Sequence, residues 1–247
     1  MSLNLCADEL LVALADRAHI ASLTYLARDP IGSTVAQAAA GIPVNYGLAE
    51  EIVPLAPDLV IAGTFTTRTT VRLLQRLGIP VLELSVPTTP EAAAAQIRAV
   101  ADRIGEPQRG ADLARQLETG LAALPSPPAQ PPGAVVVRPN GFTAGSGSMA
   151  DALIERAGLH NLARRHPTDR MGQWSVEEIV TAQPDVLITD AAPGAPPSLA
   201  QEVLRHPALV ASTARRVSVP GRLWACAGPE LVDAARLLAD GARADLP

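Results

Sequence analysis

Short apolar runs that end in turn residues alternate with helix-favouring segments along most of the chain. Such runs predict strands at SLNLC (2–6), HIASLTYL (19–26), PDLVIAG (57–63), GIPVLELSV (78–86), GAVVVRPNG (133–141), PDVLITD (184–190) and RRVSVPG (215–221). Short apolar runs of this kind are expected of parallel strands that are buried on both faces. The first helical segment is predicted at 8–15. The helical segments between the strands indicate β-α-β units covered by helices. The pattern therefore predicts an α/β fold of two Rossmann-like lobes with parallel-rich central sheets.

One helix-to-strand pattern occurs twice. EEIVPLAPDLVI begins at Glu50 and EEIVTAQPDVLI begins at Glu177, which is 177 − 50 = 127 residues later. Two glutamates suit the start of a helix, where negative charge complements the helix dipole, and Pro-Asp suits the turn into a strand. These local roles explain each copy alone, but matching positions on two lobes indicate one partner that touches both. The repeat also predicts a ligand cleft between the lobes.

The middle of the chain lacks this alternation. Residues 90–124 favour helix nearly throughout, with GEP at 105–107 suggesting a break or kink, and PSPPAQPPG at 125–133 is a stiff connector. We therefore expect an N-terminal α/β lobe at 1–89, a bridging long helix at 90–124, a Pro-rich connector at 125–133 and a C-terminal α/β lobe at 134–247.

Composition and charge narrow the possible partners. The chain of 247 residues has a net charge of −5, and no basic run exceeds two residues, which argues against nucleic acid as a partner. No apolar run approaches the roughly 18–20 residues needed to cross a bilayer, so direct membrane insertion is not expected. The chain opens on MSLNLCADELL without the features of a signal peptide. We expect either a cytosolic protein or an export signal that was removed or missed in the gene model.

Motifs for catalysis or cofactor binding do not stand out. No Ser-His-Asp set, paired catalytic carboxylates or nucleotide-binding glycine loop can be singled out, and the four histidines are not clustered. We therefore expect neither an enzyme nor a resident metal or cofactor.

Several blocks of the sequence, taken in order, are similar to the substrate-binding proteins of bacterial ABC importers for metal chelates. This is the group that handles vitamin B12, ferric siderophores and haem. The blocks are SLNLCADELLVALA, GLAEEIVPLAPDLVIAG, RLLQRLGIPVLEL, FTAGSGSMADALIERAGLHNLA and WSVEEIVTAQPDVLITD. The resemblance implies two α/β lobes bridged by a long helix, and a metal chelate (a ferric siderophore, cobalamin or another corrinoid, or haem) held between them in the periplasm. It further implies delivery to a membrane permease and its ATPase, with no resident cofactor because the chelate is the cargo.

The resemblance also assigns roles to particular residues. In the vitamin B12 member a glutamate at the start of this helix in each lobe docks onto arginines of the permease, and the matching positions here are Glu50 and Glu177. The same member stacks a tryptophan on its ligand six residues before each of these glutamates. This chain has Val44 and Met171 at those places.

The candidate ligand contacts lie in loops that follow predicted strands, because ligands of α/β lobes bind outside the carboxyl ends of the strands. Arg138 and Arg222 each follow a strand directly, and either neutralise carboxylates or phosphate of an anionic chelate or are solvated or paired internally. Trp174 and Trp224 form an aromatic platform for the ligand or pack as caps on their own lobe. The predicted contacts are Cys6, Asn45, Tyr46, Arg138, Phe142, Met171, Trp174, Arg222 and Trp224.

The two cysteines, Cys6 and Cys226, are each expected near the carboxyl end of a strand. A disulfide suits an oxidising periplasm and would pin the two lobes together. Two separate thiols and a soft-metal pair are the alternatives, with the disulfide ranked first.

Two functions other than transport stay open from the sequence. A two-lobed α/β enzyme would use the same cleft for catalysis, and a cytosolic or sensory domain would reuse the same fold to bind a ligand. The absence of any nucleophile–base or cofactor motif weighs against the enzyme.

Overall fold

The computed structural model describes residues 1–66, 68–165, 172–190 and 199–243. Their paired strands are all parallel and alternate with helices, which confirms the predicted α/β fold class. The chain divides into two compact units. Unit 1 comprises Met1–Pro87, Glu91–Gln116 and Ala225–Pro229, and unit 2 comprises Thr88–Pro90, Leu117–Trp224 and Glu230–Pro247. The return of Ala225–Pro229 to unit 1 differs from the C-terminal lobe that the sequence predicts at 134–247.

The strands of unit 1 form two parallel pairs: β1 (Leu23–Thr24) with β2 (Val44–Asn45), and β3 (Val60–Gly63) with β4 (Val81–Leu84). The start of the chain joins the pairs. The Ser2 N–H donates to the Ser22 carbonyl (3.2 Å), and the Leu3 N–H donates to the Ile61 carbonyl (2.9 Å). The first residues of the chain therefore act as a short strand between β1 and β3.

Helix α1 (Leu5–Leu14) begins earlier than the sequence predicts. The Asn4 side chain accepts a hydrogen bond from the Ala7 N–H (2.8 Å) and caps the helix. Of the strand predicted at 2–6, Ser2 alone makes a β-bridge within the described part of the chain. As a result Cys6 lies in the first turn of a helix rather than at the end of a strand.

The carboxyl ends of β1 and β3 both meet the start of α1. A Cβ on Gly63, at the end of β3, would fall 2.2 Å from Asn4 Nδ2, so glycine is the residue that fits there. At the end of β1, the Thr24 N–H donates to Asp8 Oδ1 in α1 (2.8 Å). The loops that follow β1, β2 and β3 consequently leave the sheet on one side, which we call the unit 1 carboxyl edge.

The remaining helices of the first half are α2 (Ala49–Ile52), α3 (Arg68–Arg76), α4 (Pro90–Arg103) and α5 (Pro107–Ala122). The bridging long helix predicted at 90–124 is thus two helices, which divide at the GEP of 105–107 where the sequence suggests a break or kink. Helix α4 ends where Gly105 takes a φ of 81° and the Glu106 N–H donates to the Ala101 carbonyl (2.8 Å), which is a helix-capping turn. Helix α5 packs closely on α4, because a Cβ on Gly110 would lie 2.2 Å from the Cβ of Ala101.

Unit 2 contains a four-stranded parallel sheet in the order β6-β5-β7-β8. Its strands are β5 (Gly133–Val137), β6 (His160–Asn161), β7 (Val186–Thr189) and β8 (Arg215–Ser218), and its described helices are α6 (Met149–Arg156), α7 (Val176–Thr181), α8 (Pro207–Val210) and α9 (Leu231–Arg243). The core under one face of this sheet includes Val135, Val137, Leu187 and Ile179. The short strand β6 lies outside the strands that the sequence predicts.

The sequence repeat is also a repeat of the backbone. Helices α2 and α7 each begin one residue before the first glutamate of their copy, and β3 and β7 follow them. The residue before each Pro-Asp has a left-handed backbone, with a φ of 42° at Ala56 and 47° at Gln183. The two units therefore use the same turn to pass from helix to strand.

Candidate functional site

Two exposed tyrosines stack on one another at the unit 1 carboxyl edge. Tyr25 directly follows β1 and Tyr46 directly follows β2, and the parallel register pairs Thr24 with Asn45. The tyrosines are the next residues in this register, so their rings meet with centroids 5.0 Å apart and planes inclined by 21°. Tyr25 is 50% exposed and Tyr46 is 65% exposed. The pair is an aromatic surface open to solvent, and this makes it a candidate place for binding a ligand.

A third aromatic side chain belongs to the same edge. Phe65 lies in the loop that follows β3 and is 83% exposed. The sequence predicts Tyr46 as a contact and places Phe65 in a candidate loop at 64–68, after the strand predicted at 57–63. It misses Tyr25, because Tyr25 falls inside the longer strand predicted at 19–26. An aromatic residue one or two positions after a buried strand is the signal that identifies both Tyr25 and Phe65.

Asn45, another predicted contact at this edge, is structural. Its side chain is 1% exposed. Its amide nitrogen lies within hydrogen-bond distance of the Ser2 carbonyl (3.1 Å), Ser22 Oγ (2.7 Å) and the Leu23 carbonyl (2.9 Å). Asn45 therefore joins β2 to its neighbours beneath Tyr46 and does not face a ligand, while Val44 before it is half-buried.

The two glutamates of each repeat copy have different surroundings. Glu51 Oε2 accepts hydrogen bonds from the Tyr46 N–H (2.8 Å) and the Leu48 N–H (3.2 Å), so it caps α2 and holds the backbone of Tyr46. Glu178 Oε2 accepts from the Ser175 N–H (2.7 Å) and closes a capping box on α7. Glu50 and Glu177 are exposed, and neither has a hydrogen bond or an ion pair with any residue that the structure describes. The first glutamate of each pair is thus available to a partner.

In unit 2 the predicted contacts separate into three groups. Trp174 is 5% exposed and belongs to the hydrophobic core, so it is a packed cap and not a platform. Arg138 lies over the ring of the buried Trp224, with its guanidinium carbon 5.1 Å from the ring centroid. Phe142 and Arg222 are half-buried in the loops that follow β5 and β8. Met171 lies outside the described residues.

The sulfur atoms of Cys6 and Cys226 form a disulfide in the structure. Both cysteines belong to unit 1, because Cys226 lies in the returning segment Ala225–Pro229. The bond therefore fastens that segment to the first turn of α1, next to the unit 1 carboxyl edge, and leaves no free thiol on either cysteine to hold a soft metal.

Asp8 is a buried carboxyl behind this edge. It accepts hydrogen bonds from Ser2 Oγ and from the N–H and Oγ of Thr24, the residue before Tyr25. Burial raises the pKa of Asp8 from its ordinary value of 3.8 to about 6, although these hydrogen bonds lower it. Because the folded state holds its proton more tightly, Asp8 contributes stability that is complete below pH 3.8 and is lost as the pH rises through about 6.

Replacing Asp8 with asparagine should remove this pH dependence. The amide that asparagine places there stays neutral. Relative to the wild type, the free energy of unfolding of Asp8→Asn should therefore rise by roughly 2 kcal/mol between pH 4 and pH 7. Urea unfolding at several pH values measures the difference, with Asp240→Asn at an exposed position of α9 as the control for net charge. A constant difference across this range would contradict the raised pKa.

The described residues contain no cluster of three or more His, Cys, Asp and Glu side chains that could hold a metal ion. Within the same residues, no helix is long and apolar enough to cross a membrane.

Comparison with known proteins places this arrangement in a family. The chain matches the model described as periplasmic binding protein over residues 1–217. It is 29% identical over 198 residues to a cobalamin-binding protein of Halobacterium salinarum, covering 76% of this chain and 53% of that protein. The chain thus spans about half the length of the curated relatives it matches.

Two solved structures are similar along almost their whole length. The periplasmic haem-binding protein RhuT from Roseiflexus sp. RS-1, in apo form, has a TM-score of 0.79 and 25% identity, with 98% of each chain covered. The periplasmic haem-binding protein HutB of Vibrio cholerae has a TM-score of 0.79 and 20% identity, with 97% of this chain and 96% of that chain covered; this likeness concerns the fold. Since the family model covers most of the sequence, the chain belongs to the periplasmic binding protein family.

Proposed function

We propose that this protein is the substrate-binding component of an ABC importer, which captures a metal chelate in the periplasm and delivers it to a membrane permease and its ATPase. The observation that carries the ligand class is the stacked, exposed pair of Tyr25 and Tyr46, with Phe65 exposed in the loop after β3. The chain has only two Trp, two Tyr and two Phe, so half of its aromatic residues are exposed at one edge. Aromatic faces at a binding surface suit a flat, largely apolar ligand.

The relatives support the same ligand class. Cobalamin and haem, which appear in the names of the similar proteins, are flat metal macrocycles. We therefore place haem-type and corrinoid chelates ahead of ferric siderophores as the cargo. The aromatic edge supplies stacking and apolar area, while the metal remains in its own chelate.

The delivery part of the proposal rests on Glu50 and Glu177. Their carboxylates occupy the same position on two repeated helices, and the neighbouring Glu51 and Glu178 already satisfy the helix ends. Exposed charges of one sign at repeated positions suit a partner that presents positive charge twice, and such charges steer and register an encounter.

A ligand panel tests the proposal. Purified protein is titrated with haem, cobalamin, cobinamide and a ferric siderophore, and binding is followed by visible absorption and by thermal unfolding. A ligand present at 100 times its Kd should stabilise the folded state by about 2.7 kcal/mol. If none of these chelates shifts the unfolding transition, the proposed ligand class is wrong.

Substitution of the tyrosine pair tests the role of the ring faces. The double variant Tyr25→Leu with Tyr46→Leu should weaken binding of the best ligand by about 10-fold, whereas Tyr25→Phe with Tyr46→Phe should keep the affinity within about 3-fold. Leu77→Ala, which also removes an exposed apolar side chain of unit 1, is the control. Equal losses in the Leu and Phe variants would show that the hydroxyl groups, and not the rings, hold the ligand.

A further inference from the structure

Arg138 is held rigidly at the carboxyl end of β5. Its backbone N–H donates to the Phe142 carbonyl (2.8 Å), and its backbone carbonyl accepts from the Gly141 N–H (3.0 Å), which closes a tight turn. Gly141 has a φ of 74°, and a Cβ there would fall 2.5 Å from the Trp174 carbonyl, so the turn requires glycine. The Trp174 N–H in turn donates to the Gly141 carbonyl (2.9 Å). The core residue Trp174 thus positions the turn that carries Arg138.

The ring beneath Arg138 is positioned by a second loop of the same unit. The backbone N–H of Trp224 donates to the Gly221 carbonyl (3.1 Å), and the backbone N–H of Gly221 donates to Asp190 Oδ1 at the end of β7 (2.8 Å). A Cβ on Gly221 would lie 2.6 Å from the other Asp190 oxygen. Asp190 therefore anchors the loop after β8, and this places the Trp224 ring under the Arg138 guanidinium.

Unlike Arg109 and Arg164, Arg138 has no carboxylate paired with it in the part of the chain that the structure describes. Arg109 pairs with Asp16 (2.6 Å) and Arg164 pairs with Asp151 (2.9 Å). Among the described residues, Arg138 has neither an ion pair nor a side-chain hydrogen bond, and its Nε is buried. Burial lowers the pKa of Arg138, and the carboxylate of Asp190 opposes this effect without pairing with it. A partly buried guanidinium without an acceptor is costly, so an acceptor that reaches it is bound strongly.

The neighbouring Trp224 ring also has a hydrogen-bond donor without an acceptor among the described residues. The Nε1 of Trp224 is buried and has no hydrogen-bond partner within the described ranges. The Arg138 guanidinium and the Trp224 indole N–H can only donate hydrogen bonds, so both need an acceptor. The cation–π contact with Trp224 orients the guanidinium without neutralising it.

We infer that Arg138, supported by Trp224, binds an anionic oxyacid group on the ligand, a carboxylate or a phosphate. This inference rests on the proposed function and narrows it to chelates that carry an ionised side arm. Haem carries two carboxylates, and cobalamin carries one phosphate that cobinamide lacks. A planar guanidinium binds either group through two parallel hydrogen bonds.

The test removes the positive charge of Arg138 and the negative charge of the ligand, separately and together. Affinities of wild type and Arg138→Gln are measured for haem and its dimethyl ester, and for cobalamin and cobinamide. One of the two ligand pairs, haem with its ester or cobalamin with cobinamide, is expected to bind. For that pair, Arg138→Gln should lower the affinity for the acidic ligand by about 10- to 100-fold, the range for a hydrogen bond to a charged group. The same substitution should change the affinity for the ester or for cobinamide by no more than about 3-fold. The two pairs distinguish a carboxylate from a phosphate.

Controls separate recognition from a structural role. Arg236→Gln changes the net charge equally at an exposed site on α9 and should bind like wild type. Arg138→Lys keeps the charge but loses the planar fork, so its affinity for the acidic ligand should fall between wild type and Arg138→Gln. Because Arg138 has no ion pair or side-chain hydrogen bond within the described residues, the Tm of Arg138→Gln should not fall.

The possible outcomes are distinct. Equal binding of the acidic and neutral ligands by wild type and Arg138→Gln overturns the inference and leaves the proposed function intact. A fall in Tm with equal losses for both ligands assigns Arg138 a structural role and also overturns it. Failure of the wild type to bind any chelate refutes the proposed function itself.

Discussion

Replacing Glu50 and Glu177 together with glutamine should reduce delivery to the permease by at least about 10-fold while ligand capture stays unchanged. Both carboxylates are exposed at the start of repeated helices and have no partner among the described residues. Their negative charge is therefore free to meet positive charge on the permease, where it sets the rate and register of the encounter. Uptake into proteoliposomes that contain the cognate permease and ATPase measures the loss.

The neighbouring glutamates provide a matched control. Glu51→Gln with Glu178→Gln makes the same change in net charge one residue away, but these side chains cap α2 and α7. Because the glutamine amide oxygen can accept the same backbone hydrogen bonds, this pair should lower the free energy of unfolding by less than about 1 kcal/mol per helix and leave uptake near that of wild type. Raising the salt concentration should weaken delivery by the wild type more than by the Glu50→Gln and Glu177→Gln variant. Equal uptake by the two double variants would contradict the docking role.

The fold was predictable wherever local pattern and tertiary structure agree. The repeated EEIV followed by Pro-Asp predicts a helix start and a strand, and α2, β3, α7 and β7 follow it in the structure. The strand predicted at 2–6 was wrong from Asn4 onward, because a single side-chain cap starts α1 there. The helical span predicted at 90–124 divides at Gly105, whose left-handed backbone ends α4, within the GEP that the sequence marks as a break or kink. The cap at Asn4 depends on one side chain, which apolar periodicity does not resolve.

The candidate site was less predictable, because the sequence shows which residues follow strands but not which of them are buried. Asn45 and Tyr46 are adjacent, yet one is 1% exposed and the other 65% exposed. Tyr25 joins Tyr46 only through the register of β1 and β2, a pairing that has no signature in either segment alone. Trp174 and Trp224 look equivalent in sequence, whereas one lies in the core and the other supports a cation.

The pairing of Cys6 with Cys226 is another feature that the sequence alone could not decide. The chain must run through Leu117–Trp224 of unit 2 and return to unit 1 before Cys226 can reach α1. The sequence left three alternatives for these residues, since nothing in the residues around either cysteine specifies the other. The return of Ala225–Pro229 to unit 1 is what makes the disulfide a link within one compact unit.

Removing this disulfide should cause the largest loss of stability among the substitutions considered. The bond joins residues separated by 220 positions, and a closed loop of that size restricts the unfolded chain by about 5 kcal/mol in the chain-entropy model. Cys6→Ser with Cys226→Ser should therefore lower the free energy of unfolding by roughly 4–5 kcal/mol, measured by urea unfolding. Reductant should destabilise the wild type by a similar amount and leave the double variant unchanged. Thiol titration of the denatured, unreduced wild type should find no free cysteine, and two free thiols there would show that the link does not form.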